Sequence, residues 1–288
     1  MIIAQLTDPH VQAAGTPPSE HGDTNADLAA AVDFVNRAAL RPDLVLFTGD
    51  LVDDGSEAAY RTFRAIADRL EVPYRVMAGN HDRAEALRAV FPDHGYLGGS
   101  GPVQYAFDAG PLRVVALDTT LPGRPDGALS EDRLAWLDAR LAEASGRPVL
   151  LAMHHPPIPS GMWFMDRIRL KGADALAQTL ARHPPVARIV CGHLHRTAHA
   201  SWNGATVSVS PSTSYQMHLD MAEAGVPYTV AEPPGFLYHA WVEGMLVTHA
   251  CPTGDHGAPK DIFRDWPEAR RQWTEKGWFA DGAPLTIR

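Results

Sequence analysis

Five short stretches of this chain carry residues that can do chemistry together: Asp8-Pro9-His10, Gly49-Asp50, Gly79-Asn80-His81-Asp82, His154-His155-Pro156-Pro157 and Gly192-His193-Leu194-His195. Carboxylates, imidazoles and a neutral amide oxygen are the donors that first-row divalent metals accept. On an extended backbone alternate side chains share a face, so Asp8 points with His10 and His193 points with His195. Each stretch alone is weak evidence. A lone D-x-H is commonly accidental, and Gly79 to Asp82 by itself reads equally well as a tight turn with Asp82 capping a helix. Together the five clusters hold at least seven oxygen or imidazole donors, too many for one tetrahedral zinc. Two metals about 3.5 to 4 Å apart, sharing one carboxylate, would use them all.

Every one of these stretches follows a run that reads as a buried strand: Ile2–Leu6, Leu44–Phe47, 74–78, 148–153 and Arg188–Cys191. Between them the pattern turns helical. Leu28, Val32, Val35 and Ala39 recur at helical spacing, and a helix over 57–70 has Ser56 as its N-cap. Another helix is expected over 83–90, Ser130 caps a helix carrying Leu134, Leu137 and Leu141, and Leu176 and Leu180 mark one more. Strands and helices alternating in units of about 30 residues imply parallel strands joined by crossovers. In such sheets the C-terminal strand ends gather along one edge, where ligands bind. The spacing thus predicts that the five clusters meet. Segments 104–108 and Leu112–Leu117 read as a strand pair, and 205–210, 236–242 and 245–250 as strands completing a second sheet. Residues 161–169 read as a loop whose Trp163 and Phe164 either pack on the body or line a substrate entrance, the entrance being preferred, and His218 is the one other histidine placed to reach substrate.

Composition narrows the functional classes. The 288 residues carry a net charge of −9, which argues against a nuclease or any nucleic-acid binder that relies on a basic surface. No run approaches the roughly 18 apolar residues of a membrane span, and the N-terminus lacks a secretory pattern, so a cytoplasmic protein is expected. Cys191 and Cys251 form no CxxC pair and fit free thiols in a reducing compartment. The chain contains no GxxxxGK loop, GxSxG elbow or HExxH helix, which disfavours P-loop hydrolysis and covalent serine catalysis. Residues 1–254 read as the catalytic domain. The tail, 255–288, carries Trp266, Trp273, Trp278 and Phe279, aromatics expected to pack on the body or on a partner subunit of a homo-oligomer.

The ordered set D-x-H, G-D, G-N-H-D, H-H-P-P, G-H-x-H resembles the calcineurin-like metallophosphoesterases, and within them the bacterial class III cyclic-nucleotide phosphodiesterases and related glycerophosphodiesterases. The resemblance covers roughly residues 1–210. It implies a four-layer α/β/β/α sandwich of two mixed sheets flanked by helices. Carried over by position, it implies that Asp8, His10 and His195 hold one divalent metal, that Asn80, His154 and His193 hold the other, and that Asp50 bridges them. His81 would be an outer-sphere catalytic histidine facing the phosphate and leaving group, and His155 a structural residue. Two divalent ions, two carboxylates and a bridging hydroxide would leave about +1 at the site, which suits a phosphodiester monoanion. The ligand set admits Mn, Fe, Co or Zn. The expected reaction is metal-dependent hydrolysis of small phosphodiesters, with 3′,5′-cyclic nucleotides ahead of glycerophosphodiesters. A phosphomonoesterase and a non-catalytic binding module are the remaining alternatives.

Overall fold

Alternation along the strands sorts the core into layers. A computed structural model describes residues 1–222, 226–254, 256–257, 260–261, 264 and 266–277. Strands β1 (Ile2–Leu6), β2 (Leu44–Phe47) and β3 (Tyr74–Val76) lie parallel, connected by helices α1 (Thr24–Arg37) and α2 (Glu57–Ala67), with α3 (Ala84–Val90) following β3. Ala4, Leu6, Val45, Phe47 and Val76 turn to one side and pack with Leu28, Val32 and Val35 of α1 and Tyr60 and Phe63 of α2. Their neighbours Ile3 and Leu46, with Met77, turn to the other side. Ser56 caps α2 by accepting from the Ala59 amide, as expected, but the helix ends at Ala67. Likewise α1 ends at Arg37, leaving Ala39 outside it.

The second sheet contains β4 (Tyr105–Ala109), β5 (Leu112–Leu117), β6 (Val149–Met153), β7 (Arg188–Cys191), β8 (Ala198–Trp202) and β9 (Ala205–Val209), in the order β4-β5-β6-β7-β9-β8. Its four inner strands are parallel and its two outer ones antiparallel. Helices α4 (Glu131–Ala142), α5 (Trp163–Ile168) and α6 (Ala173–Leu180) pack on one face, against Val115, Leu117, Leu151, Met153, Ile189 and Cys191. From the opposite face Val114, Ala116, Leu150, Ala152 and Val190 meet Ile3, Leu46 and Met77. Two helical layers therefore enclose two facing sheets, the α/β/β/α sandwich that the sequence led us to expect.

Three local features differ from expectation. The C-terminal hairpin, β12 (Gly235–Val242) and β13 (Met245–Pro252), does not extend the second sheet; β12 pairs antiparallel with β1. Without it the buried β1 would present an unpaired edge of amides and carbonyls. Strand β8, not anticipated, turns back onto β9 through Asn203-Gly204, both at positive φ (49° and 77°), the conformation that suits a two-residue hairpin. Residues 163–168, expected as loop, form α5 with Met165 buried beneath it. A small pair, β10 (Gln216–Met217) and β11 (Thr229–Val230), follows the last motif.

The chain divides into two compact units, 1–254 and 255–288. The second unit contains α7 (Pro267–Glu275), which begins with proline where the missing amide costs nothing. Of the tail aromatics, Trp278 and Phe279 lie outside the described residues.

Candidate metal centre

The five clusters converge, but from two facing sheets rather than along the edge of one. The first sheet delivers Asp8 and His10 beyond β1, Asp50 beyond β2, and Asn80 and His81 beyond β3; the second delivers His154 and His155 beyond β6 and His193 and His195 beyond β7. Asp8, His10, Asp50, His154, His155, His193 and His195 are all buried, Asn80 is half-buried, and the His81 side chain is 38% exposed. Asp8, His10, Asp50, His193 and His195 all adopt positive φ, between 45° and 72°, a region costing an ordinary residue roughly 1–2 kcal/mol. Only three other non-glycine residues among those described do so, and each lies elsewhere. Strain concentrated this way marks a site rather than a core.

Two glycines permit the approach. A Cβ on Gly192 would overlap Thr7 Oγ1 and lie 2.7 Å from Asp8 Oδ2. A Cβ on Gly79 would overlap the Asp50 amide and Oδ1 and lie 2.8 Å from His154 Cε1. At both positions even a methyl group would force its neighbours apart.

Backbone carbonyls orient the histidines. His154 Nδ1 donates to Thr48 O (2.9 Å), His195 Nδ1 to Tyr215 O (2.9 Å) and His193 Nε2 to Ile168 O (3.1 Å). Each bond commits one ring nitrogen to a carbonyl and leaves the other to hold a proton or a cation, the arrangement metal-ligating imidazoles adopt. Those second nitrogens face the clusters. His154 Nε2 lies 3.3 Å from Asp50 Oδ2 and 3.1 Å from Asn80 Oδ1, and His195 Nε2 lies 3.5 Å from Asp8 Oδ1. His10 Nε2 sits 3.1 Å from His195 Nε2 and 3.7 Å from Asp50 Oδ2. With the His195 proton committed to Tyr215, two buried ring nitrogens meet at 3.1 Å, and a proton or a metal cation must reconcile them. This donor set fits divalent ions. The groupings Asp8–His10–His195 and Asp8–Asp50–His154 each bring ligand atoms within 4.8 Å of one another.

Asp50 occupies the middle of the array. The His81 amide donates to its Oδ1 (2.8 Å), leaving Oδ2 directed between His10 and His154. Burial alone would raise its pKa, but the His154 charge and hydrogen bond, with His81 and His10, hold it well below the usual carboxylate range. Burial pulls His154 the other way, and Asp50 with Asp8 overcomes it, raising that imidazole to about 9. The centre without cations is a tightly charged acid–imidazole lattice. Burial and the neighbouring His155 and His154 push His193 well below the usual histidine value, leaving it neutral.

His155 lies beside His154 and His193. Its Nδ1 meets Thr119 Oγ1 (2.7 Å) and its Nε2 meets Pro125 O (3.2 Å), so both nitrogens are occupied, and burial brings its pKa down to about 3. His81 Nδ1 donates to Asp53 O (2.7 Å), leaving Nε2 free. Burial lowers the His81 pKa, yet Asp50, the Asp53 carbonyl and nearby carboxylates leave it raised on balance. The Asp53 carboxylate lies 3.4 Å from His10 Nδ1. Asp82 does not cap α3. It accepts instead from the Gly79 and Leu51 amides (2.8 and 3.1 Å) and from Tyr60 Oη (2.7 Å), fixing the turn that presents Asn80 and His81.

A groove of about 800 Å³ begins at Asn80 and His81 and runs past Arg83, Glu85, Thr120 and Leu121. Trp163, Phe164 and His218 line a separate narrow crevice that includes none of the cluster residues. Sequence reasoning missed Tyr215, whose ring lies 4.7 Å from that of His195 and 5.4 Å from that of His10.

Comparison with known proteins agrees with this geometry. Residues 1–197 match the model of the calcineurin-like phosphoesterase family. A probable glycerophosphodiester phosphodiesterase from Arcobacter nitrofigilis is 33% identical over 267 residues, covering 92% of this chain and 98% of its own length. A 3′,5′-cyclic adenosine monophosphate phosphodiesterase from Escherichia coli is 33% identical over 214 residues, covering 74% and 76% of the two chains. The crystal structure of a dimetal phosphatase from Danio rerio superposes with a TM-score of 0.63 at 17% identity, covering 87% of this chain and 96% of that one, a likeness of fold. The chain belongs to the calcineurin-like phosphoesterases, a family of metal-dependent hydrolases.

Proposed function

We propose that this protein is a dinuclear metal-dependent phosphodiesterase acting on small diesters. The observation that supports it most is the position of Asp50 Oδ2, within 3.7 Å of ring nitrogens contributed by different sheets. Asp8, His10 and His195 would hold one divalent ion and Asn80, His154 and His193 the other, with Asp50 shared. When bound, such ions supply Lewis acidity that activates water and offsets phosphoryl charge, and Mn, Fe, Co or Zn all suit these donors. Asp50 keeps both ion positions within reach of one phosphate. Asn80 and His81 enter from one turn at the mouth of the groove, and His81 Nε2 is free to donate a proton to a departing alkoxide or a hydrogen bond to the phosphate. Burial of the remaining ligands excludes bulk water from the charged centre.

The groove supports a small substrate. Asp53, Asp54, Glu85 and Asp118 are among the acids that line it, against the two cations Arg83 and Arg133. An alcohol carrying further phosphates would meet like charge there. A 3′,5′-cyclic nucleotide and a glycerophosphodiester both carry one negative charge at the scissile group and no further phosphate. We place cyclic nucleotides first, and glycerophosphodiesters second on the strength of the relative matched along nearly its whole length. The deciding experiment measures turnover of Mn-loaded protein on bis(p-nitrophenyl) phosphate, p-nitrophenyl phosphate, 3′,5′-cyclic AMP and glycerophosphoethanolamine, with metal content on the same sample. Diester turnover well above monoester, with about two metals per chain, is expected. Monoester preference would refute the assignment.

No helix among the described residues is long and apolar enough to cross a membrane. The free thiols of Cys191 and Cys251 support a reducing, cytoplasmic setting. Residues 1–254 form the proposed catalytic unit, and a chain ending at Gly254 is expected to retain turnover. Loss of all turnover would assign 255–288 a part in catalysis, and a lower solution mass would assign it a part in oligomerisation.

A further inference from the structure

The space between the two sheets is largely apolar, and hydrogen bonds cross it at three places: Tyr105 Oη donates to Val76 O (2.9 Å), Arg188 Nη2 donates to Leu246 O (2.7 Å), and the third lies between β1 and the end of β7. There Gln5 of β1 reaches across from the first sheet to the second, its Nε2 donating to Cys191 O of β7 (2.8 Å) and to Thr48 Oγ1 (3.0 Å). Cys191 O can only accept, so the amide nitrogen must face it and Oε1 must face the opposite way, toward His239 Nε2 at 3.0 Å. This compels His239 Nε2 to carry the proton, and its Nδ1 then accepts from Thr248 Oγ1 at 2.9 Å. Gln5, Thr48, Cys191 and His239 are all fully buried. The chain of hydrogen bonds from β13 through β12 and β1 to β2 and β7 has one consistent proton assignment and no slack.

A polar bridge here needs a reason, because an amide and an imidazole sealed between apolar layers cost more desolvation than a leucine pair of equal volume. Its two endpoints supply that reason. Thr48, which receives one Gln5 donor, also receives the His154 Nδ1 proton on its carbonyl. Cys191, which receives the other, ends β7 directly before Gly192 and His193. Each proposed half-site takes ligands from both sheets, so its geometry depends on how one sheet is set against the other. Apolar contacts between the layers are non-directional and tolerate sliding. A bidentate amide with fixed partners does not.

We propose that Gln5 and His239 are positioning residues that fix the register of the two sheets at the ends from which the metal ligands project. The proposal rests on the reading of His154 and His193 as ligands. Neither residue reaches the centre itself.

The test is Mn²⁺ titration by calorimetry of chelator-stripped protein, with far-UV circular dichroism and thermal melting alongside. His239→Leu leaves Gln5 Oε1 unpaired, and Gln5→Met leaves Cys191 O and Thr48 Oγ1 without their donor. Each is expected to keep a native spectrum and a cooperative melt while weakening Mn²⁺ binding about 10- to 100-fold, the usual effect of removing a partner that orients a ligand. His239→Gln, whose longer amide reaches the Nε2 position and can still donate to Gln5, should recover most of the affinity. Native Mn²⁺ affinity in both folded variants would overturn the proposal, as would failure of both to fold, which would assign the network to folding alone. An equal loss in His239→Gln and His239→Leu would also overturn it. His154→Ala serves as the control. Unchanged Mn²⁺ stoichiometry there would overturn the ligand reading, whereas lost stoichiometry beside unaffected Gln5 and His239 variants would overturn only the positioning role.

Discussion

Gly79→Ala tests the site's geometry with a single methyl group. Gly79 does not occupy positive φ, so alanine meets no backbone penalty, and its effect comes from contact alone. The added Cβ would overlap the Asp50 amide and Oδ1 and lie 2.8 Å from His154 Cε1. Carbon atoms rest about 3.5–4.0 Å apart, so the imidazole must yield by roughly 1 Å. Asp50 cannot yield easily, because its Oδ1 is held by the His81 amide. Overpacking of this kind costs about 1–3 kcal/mol, and in a unit of this size each kcal/mol lowers Tm by about 2–4 °C. The functional loss should be larger in proportion. A displacement of about 1 Å at the reacting centre is worth roughly a 100-fold loss of rate. Turnover of bis(p-nitrophenyl) phosphate at saturating Mn²⁺ should therefore fall by about that factor, with reduced metal content at limiting Mn²⁺. A variant with native turnover and native metal content would refute the argument that Gly79 is present to admit Asp50 and His154.

Three further outcomes are expected. Asp50→Ala should lose both metals and all turnover, measured by elemental analysis and by hydrolysis; retention of two metals would remove Asp50 from the shared position. His81→Gln should keep metal content and lower kcat by about 10²–10⁴-fold if His81 is the proton donor, while loss of metal would make it a ligand instead. The metal-free protein should lose resistance to urea as pH rises from about 7.5 to about 9, because His154, raised to about 9, and Asp82, raised to about 7, hold protons in the fold that the unfolded chain has released. A urea midpoint that climbs over that range would contradict this.

What the sequence reveals is the periodic and the punctuated. The apolar runs before Asp8, Asp50, Asn80, His154 and His193 are strands because a run buried on both faces has little alternative, and the polar clusters stand out at their ends. What it conceals is partnership across distance. Nothing in 235–252 says that this hairpin pairs with β1 rather than with the second sheet, since strand pairing runs through backbone groups that every residue carries. Strand β8 alternates half-buried and exposed residues, a pattern too polar for the apolar-run criterion. The carbonyls of Thr48, Tyr215 and Ile168 orient three imidazoles, and a carbonyl has no residue type to read. Asp82 and Asp53 look like turn residues locally, and only the folded chain brings Tyr60 and His10 to them.

The left-handed backbone at five of the buried donors also restricts which amino acids could serve there. Aspartate, asparagine and histidine visit that region several-fold more readily than other residues with a Cβ. Glutamate has the same carboxylate on a longer arm and no comparable ease in that conformation. Asp8, His10, Asp50, His193 and His195 are all drawn from the permitted types. The vocabulary of this centre is thus set twice, by what a metal accepts and by what the turn tolerates. Transplanting it onto another scaffold would require copying the turns before the side chains.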